Sequence, residues 1–109
     1  MSVVCIPVTD DGHVGHSWGK APTVALASVD DSGIVAWVTH DVSWDASHDA
    51  GPHGTHHARI ARFLREEQVT DVIVDHLGDP MGNMLAKMSI KVHTGYSGDA
   101  RRACLEAIS

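Results

Sequence analysis

Short, nearly continuous apolar runs mark the N-terminal part of the chain, whereas apolar positions three and four apart mark much of the rest. Val3-Val4-Cys5-Ile6-Pro7-Val8 reads as a first strand, although Pro7 has no amide to give a ladder and belongs at a sheet edge. Residues 10–22 form a glycine-rich loop. Thr23 to Val29 and Ile34 to Val42 are β-rich runs joined by Asp30-Asp31-Ser32-Gly33, a hairpin pattern. A polar loop over 43–52 precedes a helix that ends near Gln68 and carries the stripe Ala58, Ile60, Ala61 and Leu64. Val69 to Val74 follows as a buried strand. Asp79-Pro80 supplies an N-cap and an N1 proline for a second helix, with Met81, Met84, Leu85 and Met88 facing the core. Ile90 to His93 is a short strand, and Asp99 to Ile108 a last helix with Ala100, Ala103, Cys104, Ala107 and Ile108 on one face. The order β-β-β-α-β-α-β-α predicts an α/β chain, a mixed sheet covered by three helices in one domain over residues 1–109.

Composition narrows the classes of partner. A chain of 109 residues, 43% of them apolar, has enough material for a core without disulfides. Its formal charge of −6, with no basic cluster beyond Arg101-Arg102, lacks the footprint that phosphate contacts require, so no nucleic acid is expected. No apolar run approaches a membrane span, and no basic segment precedes the first apolar residues. Cys5 and Cys104 lie in apolar segments near opposite ends, which suits buried thiols in a reducing cytoplasm.

Nine histidines, more than all lysines and arginines together, are the unusual feature. Each connection in the predicted order reverses the chain, so strands one, three, four and five end on one rim, where all three helices begin. His13 and His16 follow strand one; His40 and His48 lie late in and after strand three. His53, His56 and His57 open the first helix, His76 follows strand four and His93 ends strand five. Open α/β sheets bind ligands at this carboxyl edge. His53 is three and four residues from His56 and His57, so pairs of them share a helical face, and His57 extends the Ile60, Ala61 and Leu64 stripe over the sheet. That spacing suits two ligands of one metal, with His76 arriving from the next strand. A helix N-terminus carries partial positive charge and favours an anionic cluster over a bare cation.

Blander roles fit several of these side chains. His40 alternates with Ile34, Ala36, Val38 and Val42 and reads as a packed strand residue. His48 reads as a solvated loop residue, and His93 suits a hydrogen-bonded strand end as well as a rim ligand. His13 and His16 sit in a glycine-rich loop that favours exposure. Trp18 and Trp44 can wall a pocket or simply pack. Asp10, Asp71 and Asp75 do not form a two-metal nuclease centre, because Asp71 begins its strand and Asp75 follows its end. No nucleophile elbow or phosphate-binding glycine loop is present.

Cys-Ile-Pro-Val-Thr-Asp-Asp-Gly (5–12), Val-Gly-His-Ser-Trp-Gly-Lys-Ala-Pro (14–22), His53-Gly54, Val-Thr-Asp-Val-Ile-Val (69–74) and Ile-Lys-Val-His-Thr-Gly-Tyr-Ser-Gly-Asp-Ala (90–100) occur in that order. Together they resemble the dinitrogenase iron–molybdenum cofactor biosynthesis family, which includes small nitrogenase accessory proteins and the orange protein. The resemblance covers nearly the whole chain. It implies a ribonuclease H-like fold with strand order 3-2-1-4-5 and no nuclease activity. It also implies carriage of an iron–molybdenum-type or other metal–sulfur cluster, and possible dealings with cofactor-assembly proteins. Two departures alter the site. Ser17 stands where the family places a histidine, with His16 one residue early, and Asp75-His76 replaces a glycine pair.

These readings converge on a cytoplasmic, non-catalytic metal- or metallocluster-binding protein. The residues expected at its cofactor site are His16, Ser17, His53, Gly54, His57 and His76, and the metal ligands expected are His13, His16, His53, His56, His57 and His76. The altered donor set also admits a mononuclear transition-metal ion. Two rivals stand beside it: a pH-responsive interaction module, whose nine histidines move the formal charge from −6 to +3 when protonated, and a metal-dependent hydrolase using His76 and Asp75. The chain is expected to be a monomer or, through an exposed third strand, a weak homodimer.

Overall fold

Alternation in the first strand sends Val4, Ile6 and Val8 to one side and Cys5 to the other, and all four are buried. A strand buried on both faces belongs to a sheet covered on both sides. The computed structural model describes residues 1–44 and 53–108, with the backbone alone at 53–55, and places this strand, β1 (Ser2–Pro7), in the middle of a five-stranded sheet. β2 (Thr23–Asp30) and β3 (Gly33–Asp41) extend the sheet on one side, and β4 (Asp71–Ile73) and β5 (Lys91–His93) on the other. The spatial order is β3-β2-β1-β4-β5, as expected. β1 runs antiparallel to β2 but parallel to β4, and β4 runs parallel to β5.

Pro7 is accommodated at the end of a central strand rather than at an edge. β4 pairs only with Val4 and Cys5, and Val8 N–H donates to Thr23 O across 3.1 Å. Ladder alternation therefore turns position 7 toward the side where β4 pairing has already ended, so no ladder bond is lost.

The helices cover both faces. α1 (His53–Glu66) and α2 (Asp79–Lys87) lie over the Cys5 side, where Ile60, Leu64, Met81 and Leu85 join Val24, Leu26 and Val72. α3 (Ala100–Ile108) covers the Val4 and Ile6 side with Ala100, Ala103 and Cys104, small residues that allow close approach to Ala25 and Ala27. Burial pushes the Cys5 thiol far up; that of Cys104 is pushed up to about 11 by burial and by the Asp71 carboxylate. Among the described residues, no helix is long and apolar enough to cross a membrane.

Element boundaries depart from expectation at two caps. Asp79 is the first residue of α2 rather than its cap; Gly78 takes the cap position in extended conformation, with no side-chain cap bond, and Pro80 sits in the first turn. On α3, Asp99 lies outside the helix and caps it, its Oδ2 accepting from Arg102 N–H at 2.9 Å. The expected loop over 43–52 falls largely on residues 45–52, outside those described.

The β2–β3 hairpin closes through Asp30, whose Oδ1 accepts from Ser32 N–H at 2.8 Å and from Ser32 Oγ at 2.6 Å. Gly33 completes the turn at φ +114°, a conformation that side chains disfavour. The Ser32 hydroxyl and amide hold the Asp30 carboxyl below the usual carboxylate range. Because the folded value is depressed, the hairpin's stabilisation is present above the unfolded aspartate pKa and is lost as pH falls through the folded one. Acid titration followed at the Ser32 amide by NMR is expected to show this loss, and Asp30→Asn to weaken the response. Ile60 is fully buried between α1 and the sheet. Ile60→Ala should therefore cost about 2–5 kcal/mol in urea unfolding with the slope unchanged.

Candidate functional site

Direction alone brings the ends of β1, β3, β4 and β5 to one edge, and a cleft of about 270 Å³ opens between the loop after β1, the start of α1 and the β4–α2 connection. Its wall contains Ser17, Trp18 and Gly19 from the first element, His56 and His57 from the second, and His76, Leu77, Gly78, Pro80 and Met81 from the third. The polar groups thus come from three separate stretches of sequence, and the floor is apolar.

The best-anchored histidine is His56. At spacings of four, His56, Ile60 and Leu64 form the buried line of α1, so His56 rather than His57 continues the core stripe. It is 2% exposed, and its Nε2–H donates to Gly19 O across 2.6 Å. A carbonyl can only accept, so this nitrogen carries the proton and is not a metal ligand. The bond ties the first turn of α1 to the loop that carries Trp18. His57 is half-buried beside it, with ring centroids 6.2 Å apart.

Trp18 is the residue that sequence reasoning left undecided between wall and packing, and it does both. It is 2% exposed and meets Trp44 edge-on at 5.0 Å. Trp44 in turn meets Phe63 at 5.7 Å, and Phe63 meets His40 at 5.6 Å. The Trp18 indole Nε1 is buried with no hydrogen-bond partner among the described residues. A buried N–H without an acceptor carries a standing cost of about 1–3 kcal/mol. Its place in the Ser-Trp-Gly stretch between two loop glycines was the available sequence clue.

The remaining histidines disperse. His76 lies at the cleft, exposed, with Nδ1 3.9 Å from Asp75 Oδ2. His16 lines an adjoining depression of about 290 Å³ that shares Ser17 with the cleft and includes Asp10 and Pro22. His13 turns aside, its Nδ1 3.3 Å from Asp11 Oδ2, and its backbone bridges to Asp99. His93 donates from Nε2 to Asp71 Oδ2 at 2.8 Å, giving a buried carboxylate a partner beyond the Thr70 hydroxyl. His40 packs on Phe63, the packed role its alternation predicted. His48 and the side chain of His53 lie outside the described residues, and of Gly54 only the helical backbone is described. Among the described residues no three His, Cys, Asp or Glu side chains converge to hold a metal ion.

The whole chain, residues 1–109, matches the family model described as dinitrogenase iron-molybdenum cofactor. Comparison with curated proteins finds no match. Among solved structures, the crystal structure of PH0822 is similar at TM-score 0.74 and 17% identity, over 94% of this chain and 86% of that one. The apo form of the orange protein from Desulfovibrio gigas is similar at TM-score 0.73 and 20% identity, over 94% and 83%. The NMR structure of TM1290 from Thermotoga, a NifB-like protein of the DUF35 family, is similar at TM-score 0.65 and 19% identity, over 94% and 84%. At these identities the likeness is one of fold.

The His56–Gly19 bond generates a direct test. His56→Ala leaves the Gly19 carbonyl without this donor and opens a void beside Trp18, so a loss of about 1–3 kcal/mol is expected. Tryptophan emission should shift to the red as the loop loosens. His56→Gln, which keeps an N–H donor, should recover part of both effects.

Proposed function

Because the chain belongs to the dinitrogenase iron–molybdenum cofactor family over its whole length, we propose that it binds and carries an anionic metal–sulfur cluster in the cleft at the carboxyl edge, without catalysing a reaction. The observation that carries this reading is a wall that holds His57, His76 and Trp18, whose buried N–H has no partner among the described residues. An indole N–H cannot coordinate a cation; it can only donate, and sulfide or oxo groups on a cluster rim are acceptors. The first turn of α2, at Gly78, Pro80 and Met81, borders the same cleft, and the positive end of a helix favours negative charge.

The donor set fits a cluster that brings its own sulfur. Cys5 and Cys104 are both buried in the two core layers, away from the cleft wall, so no thiolate of this chain is placed to bind the metal. Two imidazoles, His57 and His76, belong to the wall and are the nitrogen groups this reading assigns to the cargo. His16 lines the adjoining depression that shares Ser17, and α1 begins at His53 and Gly54. The shape of the site and the fold of the apo orange protein support a carrier role, and cofactor-assembly proteins are the partners this role calls for.

Anaerobic titration with a soluble thiomolybdate, followed by its visible charge-transfer bands, tests the reading. Stoichiometric binding is expected, weakened about tenfold or more in Trp18→Phe, since a hydrogen bond to a charged acceptor contributes about 1.5–3 kcal/mol. His57→Ala with His76→Ala should weaken it further, and circular dichroism checks that each variant folds. Protein that takes up divalent zinc or copper but no thiometallate, with affinity falling on acidification as neutral imidazole is lost, would overturn the cluster in favour of a mononuclear ion.

A further inference from the structure

The two edges of the sheet are unequal. β5 offers three residues, whereas β3 offers nine, Gly33–Asp41. Val42 N–H donates to Pro22 O across 3.0 Å, and antiparallel pairing alternates from that point along the register Val24↔His40, Leu26↔Val38 and Ser28↔Ala36. His40, Val38 and Ala36 therefore spend their backbone groups on β2, while Trp37, Thr39 and Asp41 turn theirs outward. Among the described residues no strand receives them. Proteins blunt such edges with lysine, proline, shortness or a bulge. β3 has no lysine or proline, and its one irregularity, opposite Ser28 and Val29, leaves 36–41 regular. Val35 and Val38 are 51% and 54% exposed along this edge.

We propose that this edge is an interface for a second copy of the chain, the two β3 strands pairing antiparallel about a two-fold axis at Thr39. In that register each Thr39 faces the other, and Trp37 of each copy faces Asp41 of the other. The outward groups of 37, 39 and 41 then satisfy one another in roughly six hydrogen bonds.

Charge selects a second copy over an unrelated strand. The Arg101 guanidinium lies over the Trp37 ring, 4.6 Å from its centroid. Asp41 is four positions from Trp37 and so shares its face, where it accepts from Thr23 Oγ1 at 3.3 Å. Directly opposed residues in an antiparallel pair lie on the same face. The pairing that matches the backbone groups thus also sets Asp41 of one copy beside Arg101 of the other, twice by symmetry. Within one chain Arg101 makes no ion pair with a described residue. No like charges oppose each other anywhere along 36–41, because Asp41 is the only formal charge there. The surface is remote in sequence from the cleft residues, and the inference does not depend on what the cleft carries.

Sedimentation of the full chain from micromolar to millimolar concentration tests it. A reversible monomer–dimer equilibrium is expected. Asp41→Arg and Arg101→Asp should each raise the dimer Kd by more than about tenfold through the repulsion they introduce, and the double exchange should restore it to within about threefold. Thr39→Pro, which removes an outward N–H rather than one given to β2, should abolish the dimer; circular dichroism and the unfolding midpoint check that it folds. A chain monomeric at millimolar concentration, a dimer indifferent to both reversals, or a double variant no tighter than the single ones overturns the proposal.

Discussion

The arrangement depends on β1 lying between an antiparallel neighbour and a parallel one. Parallel pairing with β4 forces the chain to cross back over the sheet, and α1 is that crossing. The same constraint puts the ends of β1, β4 and β5 on one edge, so the loop after β1 and the β4–α2 connection must meet there. The start of α1 completes the meeting. The cleft follows from strand direction before any of its side chains is chosen, which is why chemistry can vary on this frame without changing it.

Much of the fold was legible because each element repeats its own signature. The i, i+4 line through Ile60 and Leu64, the Met81 and Leu85 stripe and the apolar runs of β1 and β2 each state a buried face, and reversal of direction at every connection leads to the mixed sheet. The site was legible only in position. Sequence could place histidines at the carboxyl edge, but rotamer and partner decide what each does there. His56 and His57 are neighbours of the same type, yet a carbonyl within reach turns one into a structural donor. His93 ends its strand at the same edge, and Asp71 claims its ring. Helix caps were displaced for a related reason: at Gly78 the backbone conformation serves the cap, a choice that Asp79-Pro80 conceals.

Trp18 illustrates how packing can fix a ring without satisfying its polar atom. The edge-on stack with Trp44 and Phe63 fixes the indole, and the His56 bond fixes the loop on its far side. Neither contact satisfies the indole N–H. The ring is thus fixed by its edge contacts, while its N–H stays unmatched among the described residues.

The burial of both thiols has a kinetic meaning. Thiolate ligands exchange by associative steps in which one sulfur replaces another, and their rates follow the thiolate population. With Cys5 and Cys104 protonated and enclosed on opposite faces of β1, this chain has no sulfur with which to enter that exchange. The same enclosure keeps oxidants from both sulfurs, so the fold offers no thiol switch to a change in the ambient redox potential.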